Sequence, residues 1–467
     1  MKNIFKFLFL VGILFTSCED AYNVAPDDEI LEANAITSVA DLEKAALGVY
    51  GFISGSNLIN YSSRFIDDLR LPADNRGQGV QVHTWNITAG NGTTTSLWSS
   101  LYNVISRANR VLNVIDGISA NTPEEELSKS RIKAECIGLR AMCHFDLLRA
   151  FAESYEDSNS VLGVPNINSV VVFEQPSRNT VAENYAFINS DIEMAMGMLD
   201  ASFTDNTRLT TTALSALKAR VALYQGQYET AISSATDVIG AVALATTTEY
   251  VDIWTDASDA EVIFKLKRTT GDGAVGTIFQ DTNGDIFFFM SDSMLNHVLD
   301  NSTGANDPRF GTMLDLPNSS FEEPVVGKYL GTDANPGLND IKIFRGSELY
   351  LIRAEAYARA GQLDMAAADM TTLRAARGAA TATSYAGQTV QSILTDIIEI
   401  ERRLELGYEG HRYFDMRRQG LTISRSETDC AAAAGACSLS SDDFKWIMPI
   451  PQAELFANEN MTQNTGY

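Results

Sequence analysis

The chain has 467 residues, more than the roughly 250 to 300 at which a single hydrophobic core stops growing, so we expect two lobes or one elaborated domain. It carries 60 acidic and 35 basic residues, a formal charge of −25. This balance opposes binding to nucleic acid or to anionic lipid headgroups, and it suits a secreted protein whose acidic surface keeps it soluble.

Residues 1–17 are predicted to form a lipoprotein signal peptide. Lys2 and Lys6 precede an apolar run at 7–15 that is too short for a membrane-spanning helix but suits a secretory signal. Small residues and then Cys18 follow at once, and this pattern resembles the bacterial lipobox, in which cleavage leaves the cysteine as a lipidated N-terminus. The alternative is an ordinary signal peptide followed by a chance cysteine.

The segment 18–36 is predicted to be an acidic tether between the lipid anchor and the fold. It is polar and contains Pro26, which suits a flexible linker. Glu19 and Asp20 resemble the tag that directs lipoproteins of Bacteroidetes to the outer leaflet. The tether therefore predicts a protein exposed on the cell surface.

The folded chain is predicted to begin near Thr37, with a helix from Val39 to Phe52. The following segment, 55–92, shows little helical periodicity and is rich in Asn, Gly and Thr. Long irregular segments inside a compact domain are usually functional or disordered. We call residues 55–92 the ligand loop and predict that it carries functional residues.

Helical periodicity returns after the ligand loop and predicts a helical region over 37–245. Two helix starts within it are marked by capping boxes, in which a Thr and a Glu three residues later satisfy free backbone N–H groups. The first pairs Thr122 with Glu125, and the second pairs Thr180 with Glu183. Both predict the first turn of a helix.

The stretches 212–239 and 347–377 share one pattern. Each has an amphipathic helix, a turn at Gly226 or Gly361, and a second helix that starts with Tyr or Leu. The pattern resembles the tetratricopeptide repeat. Because the copies lie 135 positions apart, they predict a helical scaffold with insertions and not one continuous solenoid.

Residues 246–344 are predicted to form an irregular and β-rich insertion. The segment Val262 to Lys267 is typical of a strand, and the Asn283-Gly284 pair is typical of a hairpin turn. Nearby acidic residues mimic the first ligands of a calcium loop, but the Gly and Glu that complete such a loop are missing. No paired Cys/His spacing suggests zinc, so we predict no metal site.

Four cysteines follow Cys18. Cys136 and Cys143 are seven residues apart on one predicted helix, too far to bridge, and are predicted to be core thiols. Cys430 and Cys437 flank a small Ala/Gly segment. In an oxidising compartment they form either a local disulfide or two free thiols.

Several stretches closely resemble hallmarks of the SusD/RagB family of outer-membrane nutrient-binding lipoproteins. In chain order they are Leu97–Leu112, Leu139–Tyr155, Gly163–Ile167, Glu401–Gly420 and Ile447–Tyr467. With the lipobox, the resemblance covers nearly the whole mature chain. The order and spacing of the stretches are more specific than any one of them.

The resemblance implies a mainly α, SusD-like fold: a scaffold of tetratricopeptide-like helical hairpins with long irregular loops and a few short β-hairpins. It assigns 37–245 to an N-terminal SusD-like region and 345–467 to a C-terminal SusD/RagB region. Members of the family cover a SusC-like TonB-dependent transporter and capture oligosaccharides, or in some cases peptides, for import.

The residues do not point to an enzyme. Carboxylates and guanidinium groups lie three and four positions apart within 401–418, a spacing that pairs them on helix faces and predicts a structural role. No HExxH, GxSxG, P-loop or GxGxxG motif is present. The sequence does not decide whether a pair of carboxylates supports glycoside hydrolysis, because that chemistry depends on their separation in space.

A sugar site needs aromatic rings that stack on CH groups and polar side chains that bond hydroxyls. The ligand loop offers both, and ligand sites in the family use a comparable N-terminal region. The predicted ligand-binding residues are Tyr61, Asp68, Asn75, Arg76, His83, Trp85 and Asn86. The alternative for Trp85 is a ring that fastens the loop to the scaffold. Phe287, Phe288 and Phe289 form either a further hydrophobic wall or a buried hairpin.

We therefore predict a lipoprotein anchored to the outer membrane through Cys18 that binds a glycan nutrient without catalysis or cofactor and delivers it to a SusC-like transporter. Two alternatives use the same scaffold. One is capture of peptides, and the other is a structural lid of the transporter without a ligand of its own.

Overall fold

The computed structural model describes residues 35–155, 161–302, 307–320, 322–379 and 382–467. The signal peptide, Cys18 and nearly all of the tether lie outside these ranges. The fold is mainly helical with short strands, which confirms the predicted class. None of the helices in the described ranges is both long enough and apolar enough to cross a membrane.

Antiparallel helices make up the first half. Their bounds are α1 Val39–Gly51, α2 Ser56–Phe65, α3 Val80–His83, α4 Gly92–Ile115, α5 Pro123–Phe151, α6 Val181–Met196, α7 Thr211–Tyr224 and α8 Tyr228–Ala241. Helix α5 packs on both α4 and α6. The Thr180–Glu183 capping box opens α6 as predicted. At α5 only half of the predicted box forms: the Thr122 hydroxyl accepts from the backbone N–H of Glu125, but the Glu125 carboxylate accepts from the N–H of Asn121.

Residues 246–344 combine short helices with most of the strands. The helices are α9 Thr247–Trp254, α10 Asp292–Asn301 and α11 Pro308–Met313, with 3-10 turns at Val275–Ile278 and Leu316–Asn318. Among the described residues the strands are β1 Leu69–Arg70, β2 Val262–Leu266, β3 Phe289–Met290, β4 Gly331–Thr332, β5 Asn335–Pro336, β6 Ile341–Arg345, β7 Ile423–Ser424 and β8 Ser438–Leu439. They pair antiparallel as β1–β3, β2–β6, β4–β5 and β7–β8.

The last part of the chain returns to helices. They are α12 Gly346–Arg359, α13 Leu363–Ala376, α14 Val390–Leu394, α15 Arg403–Glu405, α16 Arg412–Arg418, α17 Glu427–Ala432 and α18 Gln452–Ala457, with a 3-10 turn at Phe444–Trp446. A π-helix, Thr395–Arg402, joins α14 to α15. Apolar residues recur at helical spacing across 390–404, and spacing alone does not distinguish a π segment from an α-helix.

The two tetratricopeptide-like hairpins, α7–α8 and α12–α13, turn at the predicted glycines. Gly226 has φ +72° and Gly361 has φ +76°, a left-handed conformation that favours glycine. Helix α8 packs directly on α12. The two hairpins are thus far apart in sequence but pack side by side. The chain between them, residues 246–344, departs from the helical array and returns to it.

The ligand loop is more helical than its composition predicts. It contains α2 and α3, although Ser and Asn are poor helix formers. Packing accounts for α2, because Ile59 and Phe65 are buried and the Ser62 hydroxyl accepts from the backbone N–H of Tyr413 in α16. Tertiary contact therefore outweighs local propensity in this segment.

Buried ion pairs hold the C-terminal region together. The Arg345 guanidinium bonds the carboxylates of Glu261, Glu405 and Glu409, and the Arg377 guanidinium bonds those of Glu261 and Glu405. All five side chains are almost fully buried. The structural role predicted for the charged residues of 401–418 agrees with these contacts.

Acid should destabilise the fold through this cluster. Burial alone would raise the pKa of Glu405, but Arg377 and Arg345 hold it well below its ordinary value of 4.5. The unfolded chain then binds the proton at a higher pH than the folded chain, so the stabilisation is present above pH 4.5 and is lost below it. We expect the Tm, measured by circular dichroism, to fall as the pH drops below 4.5; a constant Tm would contradict this prediction.

Candidate ligand-binding face

Trp85 lies inside the protein. Its side chain is 5% exposed, and its Nε1–H donates to the backbone oxygen of Phe65 at 2.9 Å. The Arg425 guanidinium covers the ring at 4.2 Å from its centroid. The ring therefore has no free face for a sugar, which contradicts its predicted role as a stacking platform and agrees with the alternative of fastening the loop.

Tyr61 and Asp68 are also buried and face the C-terminal region. The Tyr61 ring packs edge-on against the ring of Tyr413 at 5.2 Å, and the Asp68 carboxylate pairs with Arg403 at 2.7 Å. Each residue joins the ligand loop to helices that follow it by more than 300 positions. Their placement makes them anchors of the loop.

His83 is the fourth predicted site residue that the structure buries. Its Nδ1 lies 3.0 Å from the backbone oxygen of Arg64. Burial, and next the charge of Arg425, lower the pKa of His83 to about 3. The imidazole is therefore neutral at physiological pH and fixed in place.

Asn75, Arg76 and Asn86 complete the predicted set. Asn75 is buried, and its Nδ2 donates to the backbone oxygens of Gln78 at 2.7 Å and Phe287 at 3.0 Å. Arg76 is exposed, and so is Asn86, which lies just after α3. Of the seven predicted residues, only Arg76 and Asn86 have side chains open to solvent.

Arg76 connects the ligand loop to the hairpin at 280–286. Its guanidinium bonds the carboxylates of Asp281, at 3.1 Å, and Asp285. Its backbone has φ +53°, a conformation that non-glycine residues adopt rarely and that is often found at functional positions. The hydrogen bond to Asp285 raises the pKa of Arg76, so the side chain stays charged.

The hairpin turns at the Asn283-Gly284 pair, as predicted. Gly284 has φ +88°, and its N–H donates to the backbone oxygen of Asp281 at 3.1 Å. The two acidic residues that resembled calcium ligands hold Arg76 in this structure. Within the described ranges, no group of three or more His, Cys, Asp or Glu side chains could hold a metal ion.

Two aromatic rings of β3 and its flank lie at the surface beside this ion cluster. Phe287 and Phe289 are half-buried, whereas Phe288 between them is fully buried against Arg64 and His83. This alternation follows from the two-residue period of an extended chain. The burial of Phe288 agrees with the alternative of a buried hairpin, whereas a hydrophobic ligand wall at Phe287 and Phe289 stays a prediction.

Pairing of β1 with β3 brings Arg70 over the Phe289 ring, 5.7 Å from its centroid. Arg70 also bonds the carboxylate of Asp292 at 2.6 Å and the backbone oxygen of Glu322. We call the surface formed by residues 70–78 and 281–292 the ligand-loop face. Both arginines on this face, Arg70 and Arg76, are neutralised by carboxylates.

The ligand loop is supported from beneath by a segment closed by a disulfide, which joins Cys430 to Cys437 with 4.5 Å between their Cα atoms. The Arg425 backbone N–H donates to the Cys437 oxygen, and its guanidinium donates to the His83 oxygen at 2.8 Å. Sequence reasoning missed Arg425, because nothing local marks an arginine that binds the backbone 342 positions away.

Two family models match the chain. The one described as SusD family matches residues 325–467, and the one described as "Starch-binding associating with outer membrane" matches residues 28–223. SusD-like protein P38 of Formosa agariphila is 24% identical, with 100% of this chain and 99% of that protein covered.

Solved structures have the same fold. A putative sugar binding protein from Bacteroides vulgatus is 28% identical with a TM-score of 0.79, and 93% of this chain and 99% of that chain are covered. A SusD superfamily protein from Bacteroides thetaiotaomicron is 27% identical with a TM-score of 0.78, covering 92% of this chain and 100% of that chain. From its helical fold, its two family matches and these relatives, we conclude that the chain belongs to the SusD-like family.

Proposed function

We propose that this protein is a cell-surface lipoprotein that captures a glycan nutrient at the ligand-loop face and passes it, unaltered, to a SusC-like TonB-dependent transporter of the outer membrane. The observation that carries the proposal is the pairing of half-buried Phe287 and Phe289 with a fixed polar cluster. The family description as starch-binding and the name of the sugar binding relative support the same ligand class.

The chemistry of the face suits a sugar. The rings of Phe287 and Phe289 offer apolar surface to the CH groups of a pyranose, and the Asp281 and Asp285 carboxylates accept hydrogen bonds from hydroxyl groups. A backbone hydrogen bond from Asp285 lowers the pKa of Asp281, so that carboxylate is ionised at neutral pH. Because Arg70 and Arg76 already have acidic partners, the face favours a neutral glycan over an anionic one.

The cellular setting is part of the proposal. The lipobox-like sequence places the lipid on Cys18, and the acidic segment 18–36 would give the folded chain reach above the membrane. A lipid anchor keeps a binding protein next to its transporter, which raises the effective concentration of captured ligand at the channel.

Replacing Phe289 with Ala should weaken glycan binding by about tenfold or more, since truncation of an aromatic hot spot costs about 2 kcal/mol or more and about 1.4 kcal/mol corresponds to tenfold. The measurement is isothermal titration with neutral glucan fragments, both malto-oligosaccharides and laminari-oligosaccharides. The matched control is Phe52→Ala, because Phe52 is also partly exposed beneath an arginine, with Arg107 3.3 Å from the ring centroid. We expect this control to bind as the unaltered protein does.

The same titrations separate the alternatives. Equal affinity of the Phe289→Ala and Phe52→Ala variants would rule out the ligand-loop face as the site. Binding of extended peptides without binding of any sugar would favour peptide capture. Binding of neither class of ligand would favour a structural lid.

A further inference from the structure

A second cleft lies apart from the ligand-loop face, between the chain at 169–176 and the chain at 454–461. Its volume is about 460 Å³, within the range of roughly 300 to 1,000 Å³ typical of small-molecule sites. Trp98 and Tyr102 of α4 line its floor. None of the residues predicted as ligand-binding from the sequence contributes to it.

Phe173 projects from one wall of this cleft and is 92% exposed, the most exposed large hydrophobic side chain described in the protein. Its position is fixed by the backbone, because the Glu174 carboxylate accepts from the N–H groups of Val172 at 2.9 Å and Phe173 at 3.1 Å. An aromatic ring held in water by a defined turn gains hydrophobic free energy when a ligand covers it.

The two walls are tied together, so the cleft is formed without a ligand. The Gln175 side chain donates to the Ala457 oxygen at 2.9 Å, and the Asn458 side chain donates to the Pro176 oxygen at 2.8 Å. The Asn460 side chain adds a third link to the Gln175 oxygen. A preformed cleft lowers the entropic cost of binding.

The polar groups that line the cleft are carboxylates, amides and hydroxyls. Glu454 is half-buried on the wall facing Phe173, where burial raises its pKa and a hydrogen bond from the Trp98 side chain partly offsets that effect. Ser106 and Ser169 also line the cleft. A carboxylate and hydroxyls next to an exposed ring suit a ligand with CH faces and hydroxyl donors.

We infer that this cleft is a second saccharide-binding site, which takes one or two units of a neutral sugar with Phe173 stacked on a ring face and Glu454 accepting hydrogen bonds from hydroxyl groups. The choice of a saccharide rests on the proposed function, whereas the site itself rests on the geometry of the cleft. Two separate sites would let one protein hold a long glycan at two points and gain avidity.

The test is isothermal titration of the unaltered protein, Phe173→Ala and Phe456→Ala with the same malto- and laminari-oligosaccharides. Phe456 is 80% exposed and lies beside the cleft without lining it, which makes it the matched control. Phe173→Ala should remove one of two binding events or weaken it by about tenfold, and Phe456→Ala should change nothing. Both side chains are exposed, so neither variant should unfold the protein.

The second site is overturned if Phe173→Ala binds every sugar as the unaltered protein does, or if Phe456→Ala loses binding to the same extent. That result leaves the proposed function intact as long as binding still depends on Phe289. Conversely, binding that responds to Phe173 and not to Phe289 would retain the cleft and displace the ligand-loop face.

Discussion

Replacing Arg345 with Met should lower the free energy of unfolding by at least about 3–5 kcal/mol, the usual cost of removing one partner from a buried ion pair. Arg345 bonds three carboxylates, those of Glu261, Glu405 and Glu409, and is itself 1% exposed. Without Arg345, these three buried carboxylates lose a positive charge that offsets the cost of their desolvation. They must either take up protons or draw water into the interior.

Urea unfolding followed by circular dichroism measures this loss. The control is Lys133→Met, which removes a cation whose partner Asp116 is mostly exposed, and which should cost no more than about 1 kcal/mol. A variant of Arg345 as stable as the Lys133 variant would show that the buried cluster does not hold the C-terminal region together.

Replacing Trp85 with Ala should cost about 3–5 kcal/mol of stability, as expected for a buried aromatic ring. The change removes a ring packed between Phe65 and Arg425 and leaves the Phe65 oxygen without its donor. Arg425 would then lack its stacking surface as well. The ligand loop loses the contact that fastens it, so any loss of glycan affinity should follow from the loss of structure.

Thermal unfolding and glycan titration of the same Trp85→Ala preparation test this expectation. Asn86→Ala serves as the control for thermal unfolding, since Asn86 is adjacent, exposed and bonded only to Thr84 among the contacts described for its side chain. An unchanged Tm together with lost affinity would contradict the core position and restore Trp85 as a binding platform.

Features that depend on local sequence were predictable. The caps at Thr122 and Thr180 and the turns at Gly226 and Gly361 each follow from a few neighbouring residues, and the structure contains all four. The Asn283-Gly284 turn belongs to the same group. These signals indicate where helices and turns begin and end. Together with the order of the family-like stretches, they were sufficient to predict the SusD-like fold.

Features that depend on distant contacts were not predictable. The composition of α2 is that of a loop, and the segment is helical because it packs on α16. An exposed tryptophan and a buried one look alike in sequence, and what buries Trp85 is Arg425, 340 residues later in the chain. The cleft at Phe173 was not predictable for the same reason, since its two walls are 282 positions apart where Gln175 bonds Ala457.

Tyr413 joins parts of the chain that are far apart in sequence, and its contacts affect the order in which the protein folds. Its ring packs on those of Tyr61, Phe65 and Trp446, and the following tail reaches back to Ala150 and Ala89 through the backbone N–H groups of Met448 and Gln452. Closing such long loops is slow and yields stability only once the partners meet. The helical hairpins have mostly local contacts, whereas residues 55–92 can take the arrangement described above only after the chain has been made as far as Gln452.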